Sequence, residues 1–102
     1  MKANPATRYS SLFIGRLRQQ VDRLDDRLLV LLQQRLGLAG ELGRLKRETG
    51  LPLRDPVREQ EILDRLARAG NGVLPPDAIR EVFRCVIEVS LASEERDTTS
   101  CD

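Results

Sequence analysis

The stretch LRQQVDRLDDRLLVLLQQRLGLAGELGRLKRE, residues 17–48, decides the fold. Its apolar positions Leu17, Val21, Leu24, Leu28, Leu31, Leu38, Leu42 and Leu45 follow one another in steps that alternate four and three, apart from one step of seven across Arg35. That rhythm keeps one narrow apolar seam on an α-helix, the pattern by which helices pair lengthwise. Gly37, Gly40 and Gly43 lower helix propensity in the second half, and they let another helix or a ligand approach closely. Thr49-Gly50 followed by Pro52 ends the helix. The pattern therefore predicts a first helix from about Ser11 to Glu48.

Downstream, Leu51 to Arg54 form a linker. Asp55 as N-cap with Pro56 at the first helical position opens a second helix. It runs from about Pro56 to Ala69, carries Val57, Ile62, Leu63 and Leu66, and is closed by Gly70-Asn71-Gly72. Pro75-Pro76-Asp77 opens a third helix bearing Ile79, Val82, Phe83, Val86, Ile87, Ser90 and Leu91. It fades into a polar tail from Arg96 to Asp102 that is expected to be disordered. No strand pattern competes. The expected class is all-α, with three helices per chain, one of them very long. Residues 1–12 read as an N-terminal extension, 13–96 as the domain and 97–102 as the tail.

The first helix sets the architecture. About 38 residues rising 1.5 Å each make a rod of roughly 57 Å, against a radius of gyration near 13 Å for a compact chain of this size. Such a rod projects from any monomeric globule with its Leu seam in water. Pairing with a second copy is the simplest remedy, and two-fold homodimers are the commonest oligomers. On the seam alone, a plain coiled-coil dimerisation module is the preferred reading.

Composition narrows the function. The 102 residues suffice for one domain, and 40% hydrophobic with 32% charged residues describes a soluble globular chain. Seventeen basic and 16 acidic residues give a net charge of +1, which argues against a nucleic-acid or membrane surface built on bulk charge. The N-terminus MKANPATRYSSLF lacks a continuous apolar run, so no secretory signal is expected and the cytoplasm is the expected location. Cys85 lies in an apolar helical pattern and is expected to be buried, with Cys101 free in the tail. The chain has no His. That removes the usual zinc ligands, the Ser-His and Cys-His pairs and the commonest general base. No metal or cofactor is expected, and chemistry falls to Arg, Lys, carboxylates and hydroxyls.

Several charges are out of place. Arg35 occupies a seam position, where a buried charge is unfavourable unless paired; by itself it is at least as well read as a register-setting polar residue. Lys46, 11 residues later, lies about 20° around the helix and roughly 16 Å along it, so both side chains can converge on an anion. Arg58 and Glu59 sit in the first turn of the second helix, where a carboxylate suits the dipole and a cation does not. Ser90 and Glu94 continue the apolar stripe of the third helix, a place where a stripe simply ending at the surface is the plain alternative. Taken together, Arg35, Lys46, Arg58, Ser90 and Glu94 all look inward and make a cationic pocket suited to a small dicarboxylate.

The segments LRQQVDRLDDRLLVLLQQR (17–35), ELGRLKRETGLPLRDPVRE (41–59) and IREVFRCVIEVSLASEE (79–95) resemble the all-helical chorismate mutase family. The shared pattern is an Arg near the start of the long helix, an Arg mid-helix, a Lys eleven later, then D-x-x-R-E at the next helix start. The resemblance implies an intertwined homodimer with two equivalent sites and the rearrangement of chorismate to prephenate in phenylalanine and tyrosine biosynthesis. It implies that Arg18 reaches into the partner's site while Arg35, Lys46 and Arg58 serve their own. Helix geometry agrees, since Arg18 is roughly 25 Å and about 260° from Arg35 along one helix.

In the implied reaction the protein forms no covalent bond to substrate. It holds the enolpyruvyl side chain over the ring and stabilises negative charge growing on the breaking ether oxygen. Arg18, Arg35 and Arg58 would bind the two carboxylates. Lys46 would donate to the ether oxygen and a carboxylate, Asp55 (mainly through its backbone) and Glu59 would meet the ring hydroxyl, and Ser90 would line the carboxylate end. Glu94 stands where many members have Gln, and it must be protonated to donate a hydrogen bond. Related readings are a regulatory mutase-like domain that binds the heptulosonate-phosphate synthase of the shikimate pathway, an isochorismate pyruvate-lyase and an aminodeoxychorismate mutase.

Overall fold

A computed structural model describes residues 5–96. These form three helices, α1 (Pro5–Glu48), α2 (Pro56–Ala69) and α3 (Pro76–Arg96), with no strand among the described residues. The expected disordered tail 97–102, with Cys101, lies outside the described residues. Helix α1 starts six residues before the expected Ser11. Pro5 at a first helical position needs no partner for an amide hydrogen. Extending an existing helix adds a hydrogen bond per residue without a second nucleation step.

The chain divides into two compact units, with the boundary after Gln33. In the first, from Arg8 to Gln33, every residue is exposed. Leu17, Leu24, Leu28 and Leu31 lie between 54% and 61% exposed.

The second unit contains the remainder of α1 with α2 and α3. Its buried apolar residues are Ala39 of α1, Leu63 and Ala67 of α2, and Ile79 and Ile87 of α3. Arg80 of α3 reaches Asp64 of α2 at 3.6 Å and Asp77 at 3.5 Å. Helix α1 ends in a Schellman motif: the Leu51 amide donates to the Lys46 carbonyl at 2.7 Å and the Gly50 amide to that of Arg47 at 3.3 Å. Gly50 takes φ +75°, a left-handed conformation that glycine adopts without a Cβ penalty. The turn fixes where the chain goes after Lys46. Asp55 then caps α2, its side chain accepting from the Arg58 amide at 3.0 Å, with Pro56 at the first helical position.

Cys85 is exposed, contrary to the sequence expectation. The buried positions of α3 are Ile79, Ile87, Ser90 and Glu94. Cys85 is about 200° around the helix from Ile87, so its apolar neighbours in sequence belong to a different face.

Candidate active site

Within the second unit a cavity of about 240 Å³ opens between the end of α1, the start of α2 and the end of α3. Helix α1 contributes Arg35 and Lys46 with Leu38 and Leu42; α2 and the linker before it contribute Asp55, Arg58 and Glu59; α3 contributes Ser90 and Glu94. Sequence spacing places the two α1 cations on one face, and both line this cavity.

Each polar side chain is held by a specific contact. Arg35 Nη1 donates to Ser90 Oγ, and that hydroxyl donates to the Val86 carbonyl at 2.8 Å. Ser90 is buried, so its hydroxyl is fixed in both roles and sets the position of the guanidinium. Lys46 Nζ donates to the Leu53 carbonyl at 2.9 Å and lies 3.6 Å from Glu94 Oε1. An ammonium has three donors, so Lys46 keeps capacity for a ligand.

Glu94 is buried, and its Oε2 has no hydrogen-bond partner. Its backbone carbonyl, in the last turn of α3, accepts from Arg47 Nη1 at 2.9 Å. This satisfies one of the acceptors left open at a helix end. Opposite it stands Gly43, where an added Cβ would lie 2.8 Å from Glu94 Cβ and 3.1 Å from its Cα. Gly43 is where α1 admits α3 at this distance. An added Cβ at Gly37 would meet nothing, so its expected close approach is not made within the chain.

At the start of α2 the arrangement agrees with the expectation at Asp55 and differs from it at Arg58. The Asp55 carboxylate is engaged in capping, and its carbonyl accepts from the Glu59 amide at 3.0 Å. Arg58 lines the cavity but stays exposed, 3.8 Å from Glu61, instead of turning fully inward. A cation in the first turn is repelled by the helix dipole, and Glu61 one turn on attracts it outward. Glu59 is half-buried; its Oε1 is 3.1 Å from Arg54 Nη2 and its Oε2 is buried without a partner. Arg18 does not line this cavity. It belongs to the first unit, exposed beside Ile14, Leu17, Val21 and Asp22.

Three residues were not anticipated: Arg47 on the Glu94 carbonyl, and Arg54 with Glu88. Arg54 Nη2 is 2.6 Å from Glu88 Oε1, and the hydrogen bonds it donates to Glu88 first and Glu59 second hold its proton more firmly than usual. Nothing in the local pattern links positions 54 and 88, which only the packing of α3 brings together.

The site offers cations for carboxylates, one of them fixed by a hydroxyl, an ammonium with donors to spare, and two carboxylates each with an unpaired buried oxygen. It suits a small molecule with carboxylates and a hydroxyl.

Comparison with known proteins agrees with this chemistry. Residues 17–95 match the model of the family described as chorismate mutase type II. A chorismate mutase from Thermus thermophilus superposes with a TM-score of 0.80 at 43% identity, over 81% of this chain and 94% of that one. A chorismate mutase from Helicobacter pylori, solved in complex with prephenate, superposes with a TM-score of 0.81 at 30% identity, over 88% of this chain and 98% of that one. A bifunctional chorismate mutase/prephenate dehydratase from Aquifex aeolicus is 34% identical over 84 residues, 78% of this chain but 23% of the relative. The chain thus spans about a quarter of the length of that relative. The matched segment, the three-helix fold and the cationic cavity agree, and the chain belongs to the chorismate mutase type II family.

Proposed function

We propose that the protein catalyses the rearrangement of chorismate to prephenate, as a homodimer acting in the cytoplasm within aromatic amino-acid biosynthesis. The observation that carries this reading is the convergence of Arg35, Lys46, Arg58, Glu59, Ser90 and Glu94 on one cavity. Residues 13–96 form the catalytic domain, and residues 1–12 extend it.

In the reaction the ether C–O bond of chorismate breaks as a C–C bond forms within the same molecule, and no atom passes to the protein. Arg35, fixed by Ser90, binds one substrate carboxylate, and Arg58 swings from Glu61 to bind the other, a bidentate task suited to guanidinium. Arg18 of the second copy completes the carboxylate set. Held at both ends, the substrate is confined to the compact conformer that reacts. Lys46 donates to the ether oxygen as charge develops there, and Glu94 faces the same oxygen. Glu59 and the Asp55 backbone meet the ring hydroxyl. Leu38 and Leu42 supply apolar walls for the ring.

The homodimer is supported by the exposed leucines of α1, too many for a chain with five buried apolar residues among those described. Regulation of, or docking on, the heptulosonate-phosphate synthase is the alternative reading, and it entails no turnover by the isolated chain. The test is to mix purified protein with chorismate and follow its loss and the appearance of prephenate. Saturable conversion is expected. Absence of turnover overturns the reading, and release of pyruvate from isochorismate in place of it assigns the pyruvate-lyase activity.

A further inference from the structure

Glu59 reaches the cavity from the first turn of α2, with a side chain that is 18% exposed, and its Oε2 is buried without a partner. A long, flexible side chain in that setting needs something to hold it. Its Oε1 is 3.1 Å from Arg54 Nη2, and the same nitrogen is 2.6 Å from Glu88 Oε1 on α3. Arg54 and Glu88 stand outside the cavity, at 56% and 59% side-chain exposure, and neither lines it. The three residues come from three places: the linker after α1, the first turn of α2 and the middle of α3.

We infer that Arg54 and Glu88 are positioning residues that act on the substrate only through Glu59. Glu88 anchors the Arg54 guanidinium, and Arg54 takes Oε1 of Glu59. This leaves Oε2 as the single acceptor presented to the ligand. Stability is not the reason for such a network. Exposed ion pairs contribute little, so loss of Arg54 leaves the fold in place.

Because both contacts run through one nitrogen, the geometry makes a sharp distinction. A lysine ammonium can bridge the two carboxylates in place of Nη2, whereas an uncharged side chain cannot. A contact to the ring hydroxyl is present in the ground state and the transition state alike, so its loosening raises KM and leaves kcat nearly unchanged.

The inference rests on the chorismate reading, and the experiment separates the two. Steady-state rates with chorismate are measured for wild type, Arg54→Ala, Arg54→Lys, Glu88→Gln, Glu59→Gln and the double variant Arg54→Ala/Glu59→Gln. Crystal structures of wild type and Arg54→Ala accompany them. Arg54→Ala is expected to raise KM about tenfold, the size of effect seen when a partner that orients a ligand-binding group is removed. Its kcat and melting temperature should hardly change. Arg54→Lys should recover most of the loss, Glu88→Gln should show a smaller rise in KM, and the double variant should be no worse than Glu59→Gln alone. In the Arg54→Ala crystal the Glu59 carboxylate should leave the position it holds in the wild type. A wild-type KM in Arg54→Ala, or losses that multiply in the double variant, would overturn the inference while the mutase reading stands. Should wild type not turn over chorismate, the mutase reading fails, and the crystal structures decide the positioning role alone: an unmoved Glu59 rejects it and a displaced one supports it.

Discussion

From Arg8 to Gln33 helix α1 exposes every residue, whereas from Arg35 to Arg47 it buries or half-buries Arg35, Leu36, Ala39, Gly40, Gly43, Lys46 and Arg47. Both stretches carry the same leucine rhythm, so the seam does not explain the difference. In the second stretch Leu38, Leu42 and Leu45 remain exposed as well. The covered face is centred on Ala39 and Gly43, and the exposed Leu42 lies about 60° and 100° around the helix from them. One helix therefore has two apolar surfaces with different purposes. The small-residue face admits α3 within the chain and so builds the cavity. The leucine face stays exposed, although Leu38 and Leu42 on it also line the cavity, and in the proposed homodimer a second copy covers it. Ala39 and Gly43 matter here because their side chains are short, and the leucines because theirs are long.

The largest expected effect comes from attacking the leucine face alone. Leu28→Asp places a carboxylate on the seam, ahead of Arg35, the first residue of α1 to line the cavity. If the seam is an obligate interface, an unpaired buried charge there removes association and folding together. Sedimentation should show loss of the dimer, and far-UV circular dichroism should show loss of helix. A folded, helical monomer would mean that the second unit stands by itself and that the two faces are independent. The small-residue face is attacked by Gly43→Leu, which drives a branched side chain into the Glu94 backbone. It should abolish activity and destabilise the chain by roughly 1–3 kcal/mol or more, read by denaturant melting.

Next in size is the loss of a donor with the fold kept. Lys46→Ala should lower kcat by roughly 10²–10³-fold, as for loss of one donor to a developing oxyanion. Helix content should stay unchanged, because the exposed seam is untouched. A smaller test joins the two faces. Arg18→Ala and Arg35→Ala should each be nearly inactive, and co-refolding equal amounts should restore about a quarter of wild-type activity. Half of a random two-fold pairing is mixed, and one of the two sites in a mixed dimer is intact. No recovery would place Arg18 outside the partner's site.

Much of this was legible because it is local. Asp55-Pro56 and Gly70 set the ends of α2 through caps that act within a few residues, and Gly50 did the same for the end of α1. The shared face of Arg35 and Lys46 follows from helix geometry alone. The start of α1 was placed too late because the leucine rhythm begins after Ser11, whereas Pro5 and the residues after it need no seam to continue a helix. Cys85 was misplaced because α3 has apolar residues on more than one face, and periodicity does not say which one α2 covers. Arg47, Arg54 and Glu88 could not be read at all. Their partners lie 47, 5 and 34 positions away, and long charged side chains fit a solvated surface equally well in sequence. Arg58 was expected inward, but its partner in the structure is Glu61, one helical turn along.

The finest test concerns Glu94, where the two faces of the argument meet at one carboxylate. Gly43 sets how closely Glu94 approaches α1, Arg47 holds its carbonyl, and Lys46 stands 3.6 Å from Oε1. The remaining charged groups that line the cavity are Arg35 from α1, Asp55 from the linker and Arg58 and Glu59 from α2. During reaction the ether oxygen gains negative charge, so a neighbour helps only by donating. An ionised Glu94 has no hydrogen to donate and repels that charge, whereas the protonated acid donates as a glutamine would. Glutamine carries such a donor permanently and brings no charge, so Glu94→Gln should keep kcat at or above the wild-type value. The measurement is kcat for both proteins under the same conditions. A large loss of kcat in Glu94→Gln would mean that Glu94 does not face the ether oxygen, and its ion pair with Lys46 would then serve only to hold the lysine in place.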